Sequence, residues 1–161
     1  MREVASKHGW CCEERLFTHS QTRSFELKEA GKKVFSFQIS PRDIQLEPAL
    51  ASAWHPVQIE TFRDNLGSKM SALVGRGAPR DFLDVHAVCT RGLTTIAECW
   101  QTWQCKNPGL DAVQARMTVL EHLASLESRR PLERIRAEAE KAAAAAVRAW
   151  FKTTFCKKVE E

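Results

Sequence analysis

The segment Lys69–Asp84 carries five charged side chains, four of them on spacings that can do chemistry. It lies in the run Asn65-Leu66-Gly67-Ser68-Lys69-Met70-Ser71-Ala72-Leu73-Val74-Gly75-Arg76-Gly77-Ala78-Pro79-Arg80-Asp81-Phe82-Leu83-Asp84. Lys69 and Arg76 stand seven residues apart, two helical turns, so they share one helix face. Asp81 and Asp84 stand three apart and share a face of the next helix. The Gly77-Ala78-Pro79 corner separates the two helices, since Gly ends a helix and Pro suits the first position of another. Two cations facing two carboxylates across a corner can build a phosphate-handling site. Lysine supplies a compact point charge, and arginine a planar fork that grips phosphate with two hydrogen bonds.

Each of these residues also has a purely structural reading. Lys69 is equally a solvated helix lysine. Arg76 and Arg80 can pair with Asp81, Asp84 or Glu60 as ordinary ion pairs. Asp81 and Asp84 fall in a first helical turn, where the helix dipole favours acids without any function. His86 on the same helix reads as a hydrogen-bonded structural histidine rather than a general base. Trp100, Trp103 and Trp150 lie on apolar helix faces, where a core role outweighs base stacking. The basic residues Arg129, Arg130, Arg134, Arg136, Lys141 and Arg148 are interleaved with Glu133, Glu138 and Glu140, the pattern of a solvated helix laced with charge pairs.

The Lys69–Asp84 stretch resembles the Lys-x-x-Ala-Leu-x-x-Arg … Arg-Asp-Phe-x-Asp pattern of the nucleotidyltransferase AbiEii/AbiGii toxin family, bacterial toxins with a polymerase-beta-type nucleotidyltransferase fold. The likeness extends from about Phe25 to the Arg130–Glu133 region and is strongest at Lys69–Asp84. It implies that Lys69 and Asp81 are catalytic, with Lys69, Arg76 and Arg80 binding the nucleotide phosphates. Asp81 would orient the lysine or an arginine rather than ligate metal, and Asp84 would support helix packing. It also implies transfer of a nucleotidyl group from a nucleoside triphosphate to an acceptor such as RNA, with Mg2+ as cofactor and a cognate antitoxin as partner.

The metal-holding half of the family pattern is missing. Such transfer uses metal ions held by carboxylates, and the family places a Gly-rich motif and an Asp-x-Asp pair in its N-terminal half. Neither motif occurs before the strand pattern here, so the resemblance implies a chain that begins just after them. The strand Val34-Phe35-Ser36-Phe37-Gln38-Ile39 carries no acid either, and Ser36 or Gln38 stands in its place. The expectation is a C-terminal portion of a toxin-type nucleotidyltransferase, inactive alone, with no metal site of its own and Mg2+ belonging to the intact family. It would need the missing N-terminal half or self-association to cover its open sheet edge. The alternative is a noncatalytic helical interaction module that binds an antitoxin or regulator.

Composition sets the frame for these elements. The chain has 161 residues and net charge +4, mild enough to permit contact with RNA without arguing for it. Six cysteines form no framework or metal-ligand spacing, so free, partly buried thiols are expected. No apolar run approaches the ~20 residues a membrane span needs, and the first ten residues lack a signal segment, so a cytoplasmic location is expected.

Local patterns predict a helix end over residues 2–8, stopped by Gly9, then an antiparallel hairpin of Arg23–Lys28 and Val34–Ile39 across Ala30-Gly31-Lys32. His55–Ile59 reads as a short edge strand. Phe62, Leu66, Met70 and Leu73 repeat at helical spacing. Further helices are expected from Pro79 to about Val88, from near Thr94 with Ile96, Trp100 and Trp103 inward, and from about Leu110 to Ser128. Val113, Met117, Leu120 and Leu123 are the expected inward residues of that fourth helix. A last long helix opens at Pro131. The fold class is α+β: a small antiparallel sheet fragment over residues 1–59, followed by a helical half over 60–161 as one compact unit, nucleotidyltransferase-like but incomplete.

Overall fold

The structure is a computed structural model and describes residues 2–16, 22–39 and 44–157. The chain forms two units, Met1–Ile44 and Gln45–Glu161.

The first unit opens with helix α1, Arg2–Lys7, after which Gly9 takes a left-handed φ of 69°. Strands β1 (Cys11–Leu16), β2 (Arg23–Glu29) and β3 (Lys32–Ile39) follow as an antiparallel meander in that order. The Ala30-Gly31 corner has both φ values positive, 46° and 78°, the geometry that matches the twist of a two-residue hairpin. Register places Phe25 opposite Phe37 and Leu27 opposite Phe35, so one face is apolar. The Phe25 and Phe37 rings stack at 5.1 Å. The other face is charged, with Lys28 Nζ 2.6 Å from Glu13 and Glu26 3.8 Å from both Arg15 and Lys33. Among the described side chains of this unit, only Ala5 and Leu27 are buried, and more than half of Phe35 and Ile39 is exposed. The sequence reading anticipates the β2–β3 hairpin but leaves Cys11–Leu16 unassigned. Cys-Cys-Glu-Glu-Arg-Leu lacks a regular alternation, and the strand exists through its ladder with β2.

The second unit begins with a two-residue pairing of β4 (Leu50–Ala51) and β5 (Gln58–Ile59). Helices α2 (Phe62–Gly75), α3 (Pro79–Thr90), α4 (Ile96–Lys106), α5 (Ala112–Arg129) and α6 (Glu138–Trp150) make up the rest, with a π-helical turn at Phe151–Phe155. Their starts are written in the sequence. Thr61 caps α2 through Asp64 N–H at 3.2 Å, and Thr95 and Glu98 cap α4 reciprocally at 3.2 and 2.7 Å. Asp111 caps α5 through Val113 N–H at 2.7 Å. Helix α2 packs on α4, α3 and α5 around Met70, Leu73, Phe82, Trp103, Val119 and Phe151. Trp100 donates its indole N–H to the Phe155 carbonyl at 3.2 Å, which satisfies the polar edge of a buried ring.

Three features depart from the sequence reading. Pro131 opens no long helix: a single 3-10 turn, Leu132–Arg134, follows it, and α6 begins only at Glu138. On α5, Val113 and Met117 are exposed at 44 and 52 %, while Ala115, Val119, Leu123 and Leu126 are buried. The helix carries two neighbouring apolar stripes, and packing on α2 selects the second. Phe62, at the head of the α2 stripe, is also half exposed.

The boundary between the two units falls at Ile44/Gln45, for a traceable reason. Leu46 N–H and Glu47 N–H each donate to the Asp64 carboxylate at 2.9 Å, tying that loop to α2. Asp64 in turn pairs with Lys106 Nζ at 2.8 Å, and both side chains are buried. Burial by itself would raise the Asp64 pKa. The Lys106 ammonium and the two backbone donors outweigh it and bring it down to about 2.

Candidate functional site

The charged residues singled out in the sequence meet at the corner between α2 and α3. Lys69 lies in the middle of α2, and Arg76 is the residue that closes it, its N–H donating to Ala72 O at 3.0 Å. Gly77 then reverses the chain with φ 53°. No other residue fits there, because a Cβ would lie 2.4 Å from Cβ of His122. His122 itself is held with Nε2 3.0 Å from the Val74 carbonyl, so the corner is clamped from α5. Pro79 opens α3, and two residues later Asp81 reaches back to accept from Ala78 N–H at 3.2 Å.

That backward reach points the Asp81 carboxylate into the corner, where it is fully buried. Arg76 donates to it bidentately, Nε at 2.9 Å and Nη2 at 3.1 Å. Lys69 Nζ lies 3.6 Å from Asp81 and 2.8 Å from Asp84. The four groups form a chain, Arg76–Asp81–Lys69–Asp84, with no net charge. Burial pushes the Asp81 pKa up, but the Arg76 guanidinium, Lys69 and Ala78 N–H together hold it below the ordinary carboxylate value. Asp81 raises the Arg76 pKa in return. Asp81 is therefore a fixed anion and not a proton acceptor near neutral pH. Its work is positional: it fixes both cations.

Lys69 and Asp84 open onto a groove of about 410 Å³ between α2 and α3, which Phe62, Asn65 and Arg91 also line. Arg91 escapes the sequence reading, although a signal exists: it closes α3 seven residues after Asp84, two helical turns along the same side. It is exposed and has no ion pair with a described residue. The structure brings together Lys69, Arg76, Asp81 and Asp84. Arg80 stays out: it is exposed, makes no ion pair with a described residue and does not line the groove. His86 stacks edge-on against Trp150 at 5.0 Å, a packing role.

A metal ion does not fit these carboxylates. Asp81 and Asp84 are already occupied by cations, and among the described residues no group of three or more His, Cys, Asp or Glu side chains converges. The arrangement can present one ammonium, steadied by two carboxylates, to an anionic ligand entering the groove. No protein-family model, curated protein or solved structure matches this chain.

Proposed function

We propose that the α2–α3 corner is the triphosphate-facing part of a toxin-type nucleotidyltransferase site, incomplete for catalysis by these residues alone. The observation that carries this reading is the presentation of Lys69: an ammonium at the mouth of a groove, held by buried Asp81 and by half-exposed Asp84. Lys69 contacts the phosphates. Asp81 is the positioning residue, and Arg76 locks Asp81. Arg91, across the groove, adds a second cation for the phosphate chain. Transfer of the nucleotidyl group to an RNA acceptor requires metal-holding carboxylates from outside the described residues, so no step through Mg2+ is assigned to this chain.

In this reading Asp84 competes with phosphate for Lys69. The test is an NMR titration of wild type, Lys69→Ala and Asp84→Asn with ATP, with and without magnesium. Wild-type affinity is expected on the order of millimolar. Lys69→Ala abolishes the shifts around Ala87 and Arg91. Asp84→Asn tightens binding about two- to fivefold, the equivalent of releasing a partly exposed ion pair. Identical titrations for all three proteins would remove the corner from any nucleotide site.

One observation favours the interaction-module reading instead. Val113 and Met117 are exposed on one face of the first turns of α5, four residues apart, and Leu110, just before the Asp111 cap, is exposed beside them. A silent nucleotide titration combined with captured antitoxin-like helical peptide, lost in Met117→Glu, would select it.

A further inference from the structure

We propose that Cys89 and Cys99 are a peroxide-oxidisable dithiol, a reversible modification site joining the end of α3 to the first turn of α4. The two sulfurs are 3.5 Å apart, within thiol hydrogen-bond distance. A disulfide needs about 2.05 Å between sulfurs, so each side chain has to move by less than an ångström. The segment between them turns at Gly92, whose φ of 68° lets the chain double back so that α3 and α4 present these two side chains to each other.

Access is unequal, and that sets the order of events. Cys89 is half-buried and reachable from solvent, whereas Cys99 is completely buried. The hydrogen bond with Cys99 lowers the Cys89 pKa. Hydrogen bonding with Cys89 together with burial raises that of Cys99. Cys89 is thus the thiol that reacts with a small oxidant, and Cys99 the thiol that resolves it. The Cys89 thiolate attacks one oxygen of hydrogen peroxide, breaking the O–O bond to give a sulfenic acid and hydroxide. The Cys99 sulfur then attacks the Cys89 sulfur, forming the S–S bond. The sulfenic hydroxyl leaves as water with the Cys99 proton. The hydroxide takes up the proton that Cys89 released on ionising, so two thiols together lose two electrons and one peroxide becomes two waters.

None of the other four cysteines is seen paired in this way: Cys11 and Cys105 are exposed, Cys12 is half-buried, and Cys156 is buried with its pKa pushed up to about 12. The test uses the full chain with Cys105→Ser, so that the tryptic peptide after Arg91 holds a single cysteine. The protein is treated with stoichiometric hydrogen peroxide, denatured, alkylated with N-ethylmaleimide and digested with trypsin. The expected product is lighter than the untreated chain by two hydrogen atoms and lacks two alkylation events. It carries a link between the Asp81–Arg91 and Gly92–Lys106 peptides that dithiothreitol reverses. In Cys99→Ser, Cys89 stops as a sulfenic acid that dimedone traps. Should that variant fail to fold by circular dichroism, Cys89→Ser serves instead, and its buried Cys99 resists peroxide. Overturning results are alkylation of both Cys89 and Cys99 after peroxide, oxidation of Cys89 to sulfinic acid with Cys99 still free, or preferential linkage of Cys89 to Cys11 or Cys12.

Discussion

Replacing Asp64 with asparagine should cost the helical unit about 3–5 kcal/mol, the usual penalty for removing one member of a buried ion pair. The magnitude follows from what the replacement strands. Lys106 has 7 % of its side chain exposed and would be left with only Ser68 Oγ, 3.1 Å away. The asparagine amide can accept from one of the Leu46 and Glu47 N–H groups, but its own NH2 confronts the other. For a unit of this size the loss corresponds to a fall in Tm of about 10–20 °C. Thermal unfolding followed by circular dichroism and urea titration measure it. The double variant Asp64→Asn/Lys106→Met should recover at least ~1 kcal/mol relative to the sum of the singles, because the stranded ammonium is gone. The pH dependence has a definite sign. The Asp64 pKa is lowered from 3.8 to about 2 on folding, so the stabilisation it brings is complete above pH 3.8 and disappears as pH falls through about 2. Wild type should lose stability across that window more steeply than Asp64→Asn. A loss below ~1 kcal/mol in Asp64→Asn, or strictly additive variants, would refute the claim that this pair anchors residues 45–47 to α2.

Two glycines of α2 should respond to alanine in opposite directions. Gly75→Ala meets nothing within 4 Å and should stabilise by about 0.5–1 kcal/mol, whereas the Cβ of Gly67→Ala would sit 3.1 Å from three carbons of the Lys106 stem, which its ion pair holds in place, so stability should fall despite the better helix former; chemical denaturation of both variants checks the signs. In hydrogen exchange, Arg23–Ile39 should exchange far sooner than Ala112–Arg129, because the sheet unit buries only Ala5 and Leu27 among its described side chains; equal protection in a demonstrated monomer would contradict this.

Much of this molecule is legible residue by residue. Pro79 announces one helix start, the Ala30-Gly31 corner the β2–β3 hairpin, and apolar spacing the approximate starts of the helices that Thr61, Thr95 and Asp111 cap, because turns and helix starts are settled by a few neighbouring atoms. The spacing of Lys69, Arg76, Asp81 and Asp84 likewise fixes which of them share a helix face. What spacing leaves open is the pairing across the corner. The bidentate Arg76–Asp81 contact, the exclusion of Arg80 and the entry of Arg91 into the groove all depend on how α3 turns back on α2, and His122 from α5 holds that turn. The same holds for α5, where two apolar stripes are equally helical and only packing decides that Val119 is buried and Met117 exposed. Asp64 reads as an ordinary first-turn acid until Lys106, far along the chain, closes on it. Local sequence settles what neighbouring backbone atoms can do. Burial, and with it every pKa and every buried pair described above, is set by residues distant in sequence, which only the tertiary structure brings together.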